Sequence, residues 1–444
     1  MLARLPETHF GVLLWLMLAV TICYANALNG SFQFDDYNVI INNPGVHSWA
    51  GLAEGLSTGI RPLLKLSYTL NWTLGTGLFG FHLTNLLIHM VNAYQVYRLS
   101  QAFVLQQSQQ AKLPQVPIFV AMLFAAHPAY TEAVTYICGR STSLMTLFYL
   151  AGLLAYISGR TQQNNFKLYG LTPLFFAIAL GVKETAVTFP LALLLWEFIS
   201  DGKWKRTLKL LWPIWLVLIL VAMTFLFSDG YLSHMERSAQ LNSLQGNAAN
   251  QAFAFFYLLR QLVLPIWLNI DPDLPLQNDF SATLLPLVFF LALFVVMLTC
   301  WRIRPWISFA LAWAILHLVP LHLFLPRIDI ANDRQMYLAG WPLTLALFIE
   351  LRLWSDGTRT QTFAALLLLG LATLTILRNQ DYVSEIRLWE DTVMKSPEKA
   401  RVHNNLGYAY LLARRNAEAR REFAVALQLD PSLYKARYNL ITAE

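Results

Sequence analysis

The chain has 444 residues, 56% hydrophobic and 13% charged, with a mean hydropathy of +0.46. Soluble domains carry about 25% charged residues, so a water-soluble globule is excluded and an all-α, polytopic membrane protein is expected. The net charge of +6 fits basic cytoplasmic loops and calls for no nucleic-acid partner.

The first apolar run, Thr8–Leu28, follows Arg4 and lacks a convincing small-x-small cleavage site, so it reads as an uncleaved first helix. Further membrane helices are expected at His82–Arg98, Val116–Ile137, Thr142–Ser158, Lys167–Val182 and Thr185–Ile199. Others follow at Leu208–Ser228, Thr283–Cys300, Trp306–Leu325, Met336–Leu353 and Gln361–Leu377, about eleven in all. Ala252–Leu268 is apolar but short and contains Arg260, Gln261 and Pro265, so it reads as an interfacial or re-entrant helix.

With the N-terminus inside, Arg98 and Lys112, Arg160 and Lys167, Lys203 to Lys209, Arg302 and Arg304, and Arg352 and Arg359 all fall in inner loops. That is the asymmetry the positive-inside rule demands. An odd count places the C-terminus outside, on the same side as Asp35 and Asp36. Residues 1–378 form the membrane domain, with outer loops at 29–80 and 229–282, and 379–444 form a polar tail. Cys23, Cys138 and Cys300 are too far apart to make a metal spacing or a disulfide framework.

Ala400 to Pro431 fits a tetratricopeptide repeat, with Leu406, Gly407, Tyr410, Ala419, Phe423, Ala426 and Pro431 at its small and large positions. The 34-residue period extends both ways: Pro397 precedes Pro431 by one period, and Leu440 follows Leu406 by one. The tail is therefore expected to be a small α-solenoid that either engages a protein or merely packs on the membrane domain.

The adjacent acids Asp35 and Asp36 follow the first apolar run directly. A carboxylate pair at a membrane exit is costly to desolvate and repels itself. The outer face also collects His127, Glu132, Arg140, Lys183, Glu184, Arg260, Asp271, Asp273 and Arg334, together with Arg61. Outer cations run against the positive-inside bias, and an anionic ligand such as a phosphate gives them a reason. A carboxylate base beside several cations suits sugar transfer from a lipid phosphate. The base deprotonates the attacking hydroxyl, and the cations stabilise the leaving phosphate. A single attack inverts the anomeric centre.

In this reading Asp35 is the base, and Asp36 positions it or raises its pKa. Glu132 adds a second outer acid with His127. Arg61, Arg140, Lys183 and Arg260 suit either phosphate binding or headgroup snorkelling. Asp271 and Asp273 suit helix termination or chemistry. His82 and His89 read as core histidines.

The series Phe34-Asp35-Asp36, Arg61-Pro62-Leu63, Phe81-His82-Leu83-Thr84-Asn85, His127-Pro128 with Thr131-Glu132, Gly139-Arg140, Lys183-Glu184 and Asp271-Pro272-Asp273, followed by the repeat tail, resembles the transmembrane and tetratricopeptide-repeat O-mannosyltransferases of the GT-C superfamily. Asn332 to Tyr337 matches more loosely, which brings in Arg334 and Tyr337. The resemblance implies a GT-C fold, an acid-pair base in the first outer loop, a polyprenyl-phosphate-linked sugar donor and a protein Ser or Thr acceptor. It implies no nucleotide sugar, and a divalent metal is not favoured. The short tail suggests a prokaryotic relative in a bacterial inner membrane, with a cytoplasmic N-terminus and a periplasmic active site and C-terminus. A pentose such as arabinofuranose, or a pilin, glycan or lipid acceptor, is the sister expectation. A transporter, flippase or non-catalytic scaffold is the expectation from another class.

Overall fold

The computed structural model describes residues 8–55, 60–200, 204–226, 244–274, 281–319 and 329–443. Helix α1 (His9–Tyr24) starts at Thr8, whose hydroxyl accepts the Gly11 N–H at 3.2 Å. The segment after it holds a π-helical turn at Tyr37–Ile41, α2 (Trp49–Gly55) and α3 (Pro62–Thr73). Next come α4 (Gly77–Val104), α5 (Val116–Ala126), α6 (Thr131–Val134), α7 (Arg140–Gln162), α8 (Thr172–Val182) and α9 (Phe189–Ser200). Then follow α10 (Trp204–Leu210), α11 (Trp212–Leu226), α12 (Leu244–Val263), α13 (Ser281–Cys300) and α14 (Pro305–Leu318). The membrane domain closes with α15 (Met336–Ala339), α16 (Trp341–Trp354) and α17 (Gly357–Asp381). The tail is α18 (Glu385–Lys395), α19 (Ala400–Leu412), α20 (Asn416–Leu429) and α21 (Tyr434–Thr442). No strand occurs among the described residues, so the all-α class holds.

Helix α4 packs against α1, α5 and α7, and α7 against α8. Helix α17 packs on α1 and α5, and α14 pairs with α16. The distribution of side chains on α4 is inverted relative to a soluble protein. His82, Asn85, His89, Asn92 and Gln95 are buried, while Leu83, Leu87 and Val91 are exposed. On α13 the exposed residues include Leu284, Leu287, Val288, Leu291, Phe294 and Val295. A polar interior and an apolar perimeter suit a hydrocarbon surround. The chain is a membrane protein.

Among the described residues, three helical stretches are both long and apolar enough to cross a bilayer: His9–Asn29, Ile137–Gln162 and Gly357–Asp381. A fourth is the pair Asp333–Ala339 and Trp341–Trp354, bent by 59°. Val116–Ala126, Lys167–Val182, Trp212–Thr224, Leu287–Cys300 and Pro305–Leu318 are apolar but shorter. The expected span Val116–Ile137 is not one helix. Proline disfavours helical backbone in the residue before it, so α5 stops at Ala126 and His127-Pro128 turns the chain into two short helical turns. The expected interfacial helix at Ala252–Leu268 is the second half of a longer helix, Leu244–Val263. It gives way to a turn exposing Val263, Leu264, Ile266 and Trp267. The C-terminal ends of the expected Leu208–Ser228 and Trp306–Leu325 spans, and residues 229–243 and 275–280 of the expected second outer loop, lie outside the described residues.

In the tail, α19 and α20 form a hairpin packed on α18 and α21. Gly407 permits the close approach: a Cβ there would meet the Phe423 ring at 2.6 Å. The tail is clamped to the segments around Asp271 and around Phe34. Asp271 accepts from Lys399 Nζ at 2.6 Å and from Arg401 Nε at 2.9 Å, and Arg401 also pairs with Asp329. Ser396 Oγ donates to the Asp271 carbonyl at 3.0 Å and accepts from Asn269 Nδ2 at 2.8 Å. From the first loop, the Phe34 N–H donates to Glu385 Oε1 at 3.1 Å and the Phe34 ring packs edge-on against Trp389.

Candidate active site

The turn at Phe34 to Asp36 separates the two acids by role. Asp36 points inward and is 0% exposed. Its Oδ2 accepts the Gln33 N–H at 3.0 Å and its Oδ1 the Cys138 N–H at 2.8 Å, so it ties the first loop to the segment before α7. Asp35 points the other way, into a cleft of about 80 Å³ that it lines with Val39, Arg61, Leu64, Tyr68, Cys138, Ser141, Lys183 and Arg334. Its backbone N–H donates to the Tyr136 hydroxyl at 3.0 Å.

Two non-glycine residues at this cleft adopt the left-handed region: Phe34 at φ 46° and Arg61 at φ 55°. Such backbone costs about 1–3 kcal/mol and persists where the surroundings over-determine it. Here Glu385 and Trp389 hold Phe34 from the tail side. A bidentate ion pair holds Arg61, with Nε 2.9 Å from Glu184 Oε2 and Nη2 2.6 Å from Glu184 Oε1.

The cations reach the cleft from three directions. Arg61 caps α3. Lys183 follows α8 and donates from Nζ to Thr142 Oγ1 at 2.7 Å. Arg334 comes from the turn before α15 and is held by the buried Glu132, which accepts its backbone N–H at 3.0 Å and lies 3.5 Å from its Nε. Burial raises the Asp35 carboxyl above its ordinary value, while the charge of Arg334 opposes that rise. A carboxylate facing three cations can accept a proton from a hydroxyl held beside a bound anion.

The other expected residues sit elsewhere. Arg140 is 0% exposed and does not line the cleft. Its guanidinium donates to Asn85 Oδ1 and Asn71 Oδ1 at 2.6 Å each and to the Phe81 carbonyl at 2.8 Å, fastening α7 to α3 and α4. Tyr337 accepts from Asn92 at 3.0 Å and pairs with His89 at 2.8 Å inside the bundle. His127 is bonded to the Leu262 carbonyl at 2.9 Å and braces α12. Arg260 is exposed on α12. Asp271 serves the tail clamp, and the exposed Asp273 donates its N–H to Ser396. Glu184 and Glu132 support Arg61 and Arg334. Sequence reasoning passed over Tyr136, Tyr68 and Ser141. Tyr136 alone carried a signal, since it lies between Glu132 and Arg140.

Similarity to known proteins extends over nearly the whole chain. A Caenorhabditis elegans protein O-mannosyl-transferase is 25% identical over 449 residues, covering 95% of this chain and 63% of the relative. The human protein O-mannosyl-transferases TMTC4 and TMTC3 are 23% and 24% identical, covering 87% and 95% of this chain. The chain is thus similar, over most of its length, to proteins named protein O-mannosyl-transferases. It spans 62% and 52% of the two human proteins. No family model matches the chain. No solved structure matches it either.

Proposed function

We propose that this chain transfers a sugar from a polyprenyl-phosphate donor to a Ser or Thr hydroxyl of a protein, in one inverting displacement on the extracytoplasmic face. The observation that carries this reading is the cleft where Asp35 meets Arg61, Lys183 and Arg334. Asp35 takes the acceptor's proton as its oxygen attacks the anomeric carbon. The bond from that carbon to the donor phosphate breaks, and the three cations stabilise the departing phosphate. Glu132, Glu184 and Tyr136 position those groups. No nucleotide sugar or metal is part of the scheme.

The same reading takes the shorter apolar helices as further crossings, about eleven in total. It places the N-terminus in the cytoplasm and the cleft and tail in the periplasm, and it assigns the exposed Leu264–Trp267 turn and Arg260 to the lipid-phosphate interface. The tail helices are read as tetratricopeptide repeats engaging the protein acceptor. A pentose donor or a glycan acceptor changes only what fills the cleft.

The test uses the full chain in nanodiscs with a radiolabelled polyprenyl-phosphate mannose and unstructured Ser- and Thr-bearing peptides. Labelled peptide is expected from wild type, and a loss of about 10²–10⁴-fold from Asp35→Asn. Wild-type rates in Asp35→Asn would falsify the base assignment. A wild type inert with every polyprenyl donor sinks the transferase reading.

A further inference from the structure

None of the residues lining the cleft comes from α18 (Glu385–Lys395), yet that helix is tied to the backbone on both sides of it. In its first turn, Glu385 Oε1 accepts the Phe34 N–H at 3.1 Å. The buried Trp389, one turn on, meets the Phe34 ring edge-on. Gln33 Nε2 donates to the Tyr382 carbonyl just ahead of the helix. Asp35 is the next residue of the turn held in this way.

At the other end Ser396 caps the helix, and its buried hydroxyl is fully used. It accepts from Asn269 Nδ2 at 2.8 Å and from the Asp273 N–H at 3.0 Å, and it donates to the Asp271 carbonyl at 3.0 Å. Asn269 carries the link onward: its backbone N–H donates to Asp333 Oδ2 at 3.1 Å. Asn269 and Asp333 are both buried. Arg334 is the next residue, in the tight helical turn Asp333–Gln335.

Each tie therefore ends one residue ahead of a side chain that lines the cleft. A tail that only anchored itself to the membrane domain would need neither tie to end there. The two ends are joined by one helix of 11 residues, about 16 Å long. Its middle and end are braced as well, by Arg378 donating to Asp391 at 2.8 Å and by Lys395 donating to the Leu268 carbonyl at 2.8 Å. Phe34 sits at φ 46°, a backbone state that relaxes unless its surroundings hold it, and both its N–H and its ring rest on α18.

We propose that α18 is a strut of the cleft: through Glu385 at one end and the Ser396–Asn269–Asp333 relay at the other, it fixes the separation of Asp35 from Arg334. Those four residues are positioning residues, and the first tail helix is part of the active-site frame. Their effect on rate rests on the transferase reading above. The mechanical linkage of the two turns does not.

The experiment uses the full chain in nanodiscs, read by hydrogen exchange of the 33–37 and 332–336 amides and by transfer kinetics. Glu385→Ala and Asp333→Ala are each expected to speed exchange about fivefold or more in the turn they touch, and to speed it also in the turn at the far end of α18. Both should lower kcat about tenfold or more and leave peptide KM within about twofold, because a displaced base or cation costs rate at small distances. Glu385→Gln and Asp333→Asn keep an acceptor oxygen for the Phe34 and Asn269 N–H groups and should restore most of the loss. Asn269→Ala keeps the main-chain bond to Asp333 and removes the Ser396 link, a milder break expected to give the same pattern if the other alanine variants do not fold. Exchange that rises only at the altered end overturns the strut. So does a raised peptide KM with kcat unmoved, or a kcat lost equally in the alanine and the conservative variants. Exchange coupled across α18 in a wild type that transfers no sugar supports the strut and sinks the transferase reading. Normal transfer with kcat unmoved in every variant sinks the strut alone.

Discussion

Replacing Asp36 by Asn should damage the fold before the chemistry, and replacing Asp35 by Asn should do the reverse. Both Asp36 oxygens accept buried backbone N–H groups, from Gln33 and Cys138. An asparagine keeps one acceptor and sets its NH₂ against the other N–H. A protonated carboxyl escapes this clash, because each of its oxygens keeps a lone pair. Two buried unsatisfied donors at about 1–3 kcal/mol each make a loss of roughly 2–6 kcal/mol. Asp35 is only partly buried and its side chain faces the cleft, so Asp35→Asn should leave unfolding within about 1 kcal/mol of wild type. Its transfer rate should fall by about 10²–10⁴-fold. Thermal unfolding in detergent, followed by tryptophan fluorescence, paired with the radiolabelled transfer assay, reads both quantities. The refuting result is a crossed pattern, with Asp36→Asn as stable as wild type but inert and Asp35→Asn active.

Burial also pushes the Asp36 carboxyl up to about 7 from its ordinary 3.8. Between those values the folded chain holds a proton that the unfolded chain has released, so its contribution to stability declines as pH rises from about 4 to about 7 and is level above. Unfolding midpoints across that window should fall less steeply with pH in Asp36→Asn than in wild type. The transfer rate should rise with pH through an Asp35 pKa above the ordinary carboxylate value. Arg334→Gln should move that limb to higher pH by removing the charge that opposes the shift; an unmoved limb in a pH–rate profile refutes the coupling. Arg140→Met leaves the Asn71 and Asn85 carboxamides without their donor and should lower stability by about 3 kcal/mol, seen as a lower unfolding temperature. Asp271→Asn weakens the clamp on Lys399 and Arg401, two pairs that are partly solvent-screened. It should speed limited proteolysis between 379 and 399 at a cost of about 1–2 kcal/mol.

Part of the architecture was legible in the chain itself. The helical class and the 34-residue spacing of small and large residues in the tail each report a local period, and periods survive translation into structure. Span lengths were less legible, because a hydropathy window does not register that His127-Pro128 ends α5 or that α4 turns a row of polar residues inward. The site was half legible. Charged residues at the ends of apolar segments stood out by type, and Asp35, Arg61, Lys183 and Arg334 do converge. What composition could not distinguish was a cation aimed at a cleft from one consumed by the bundle. Arg140 and Arg61 look alike in sequence, yet one is saturated by Asn71, Asn85 and the Phe81 carbonyl while the other rests on Glu184 at the cleft wall.

The sequence by itself determined that this is a helical membrane protein with an acid pair and cations beyond its helix ends and a repeat-patterned tail, because hydropathy, charge and period are properties of the chain. Only the tertiary structure decided that Asp35 faces the cleft while Asp36 is locked behind it, and that the tail shares the same turn. Those outcomes depend on which distant backbone N–H groups, Gln33 and Cys138 for one acid and none for the other's side chain among the described hydrogen bonds, close around two neighbouring carboxylates.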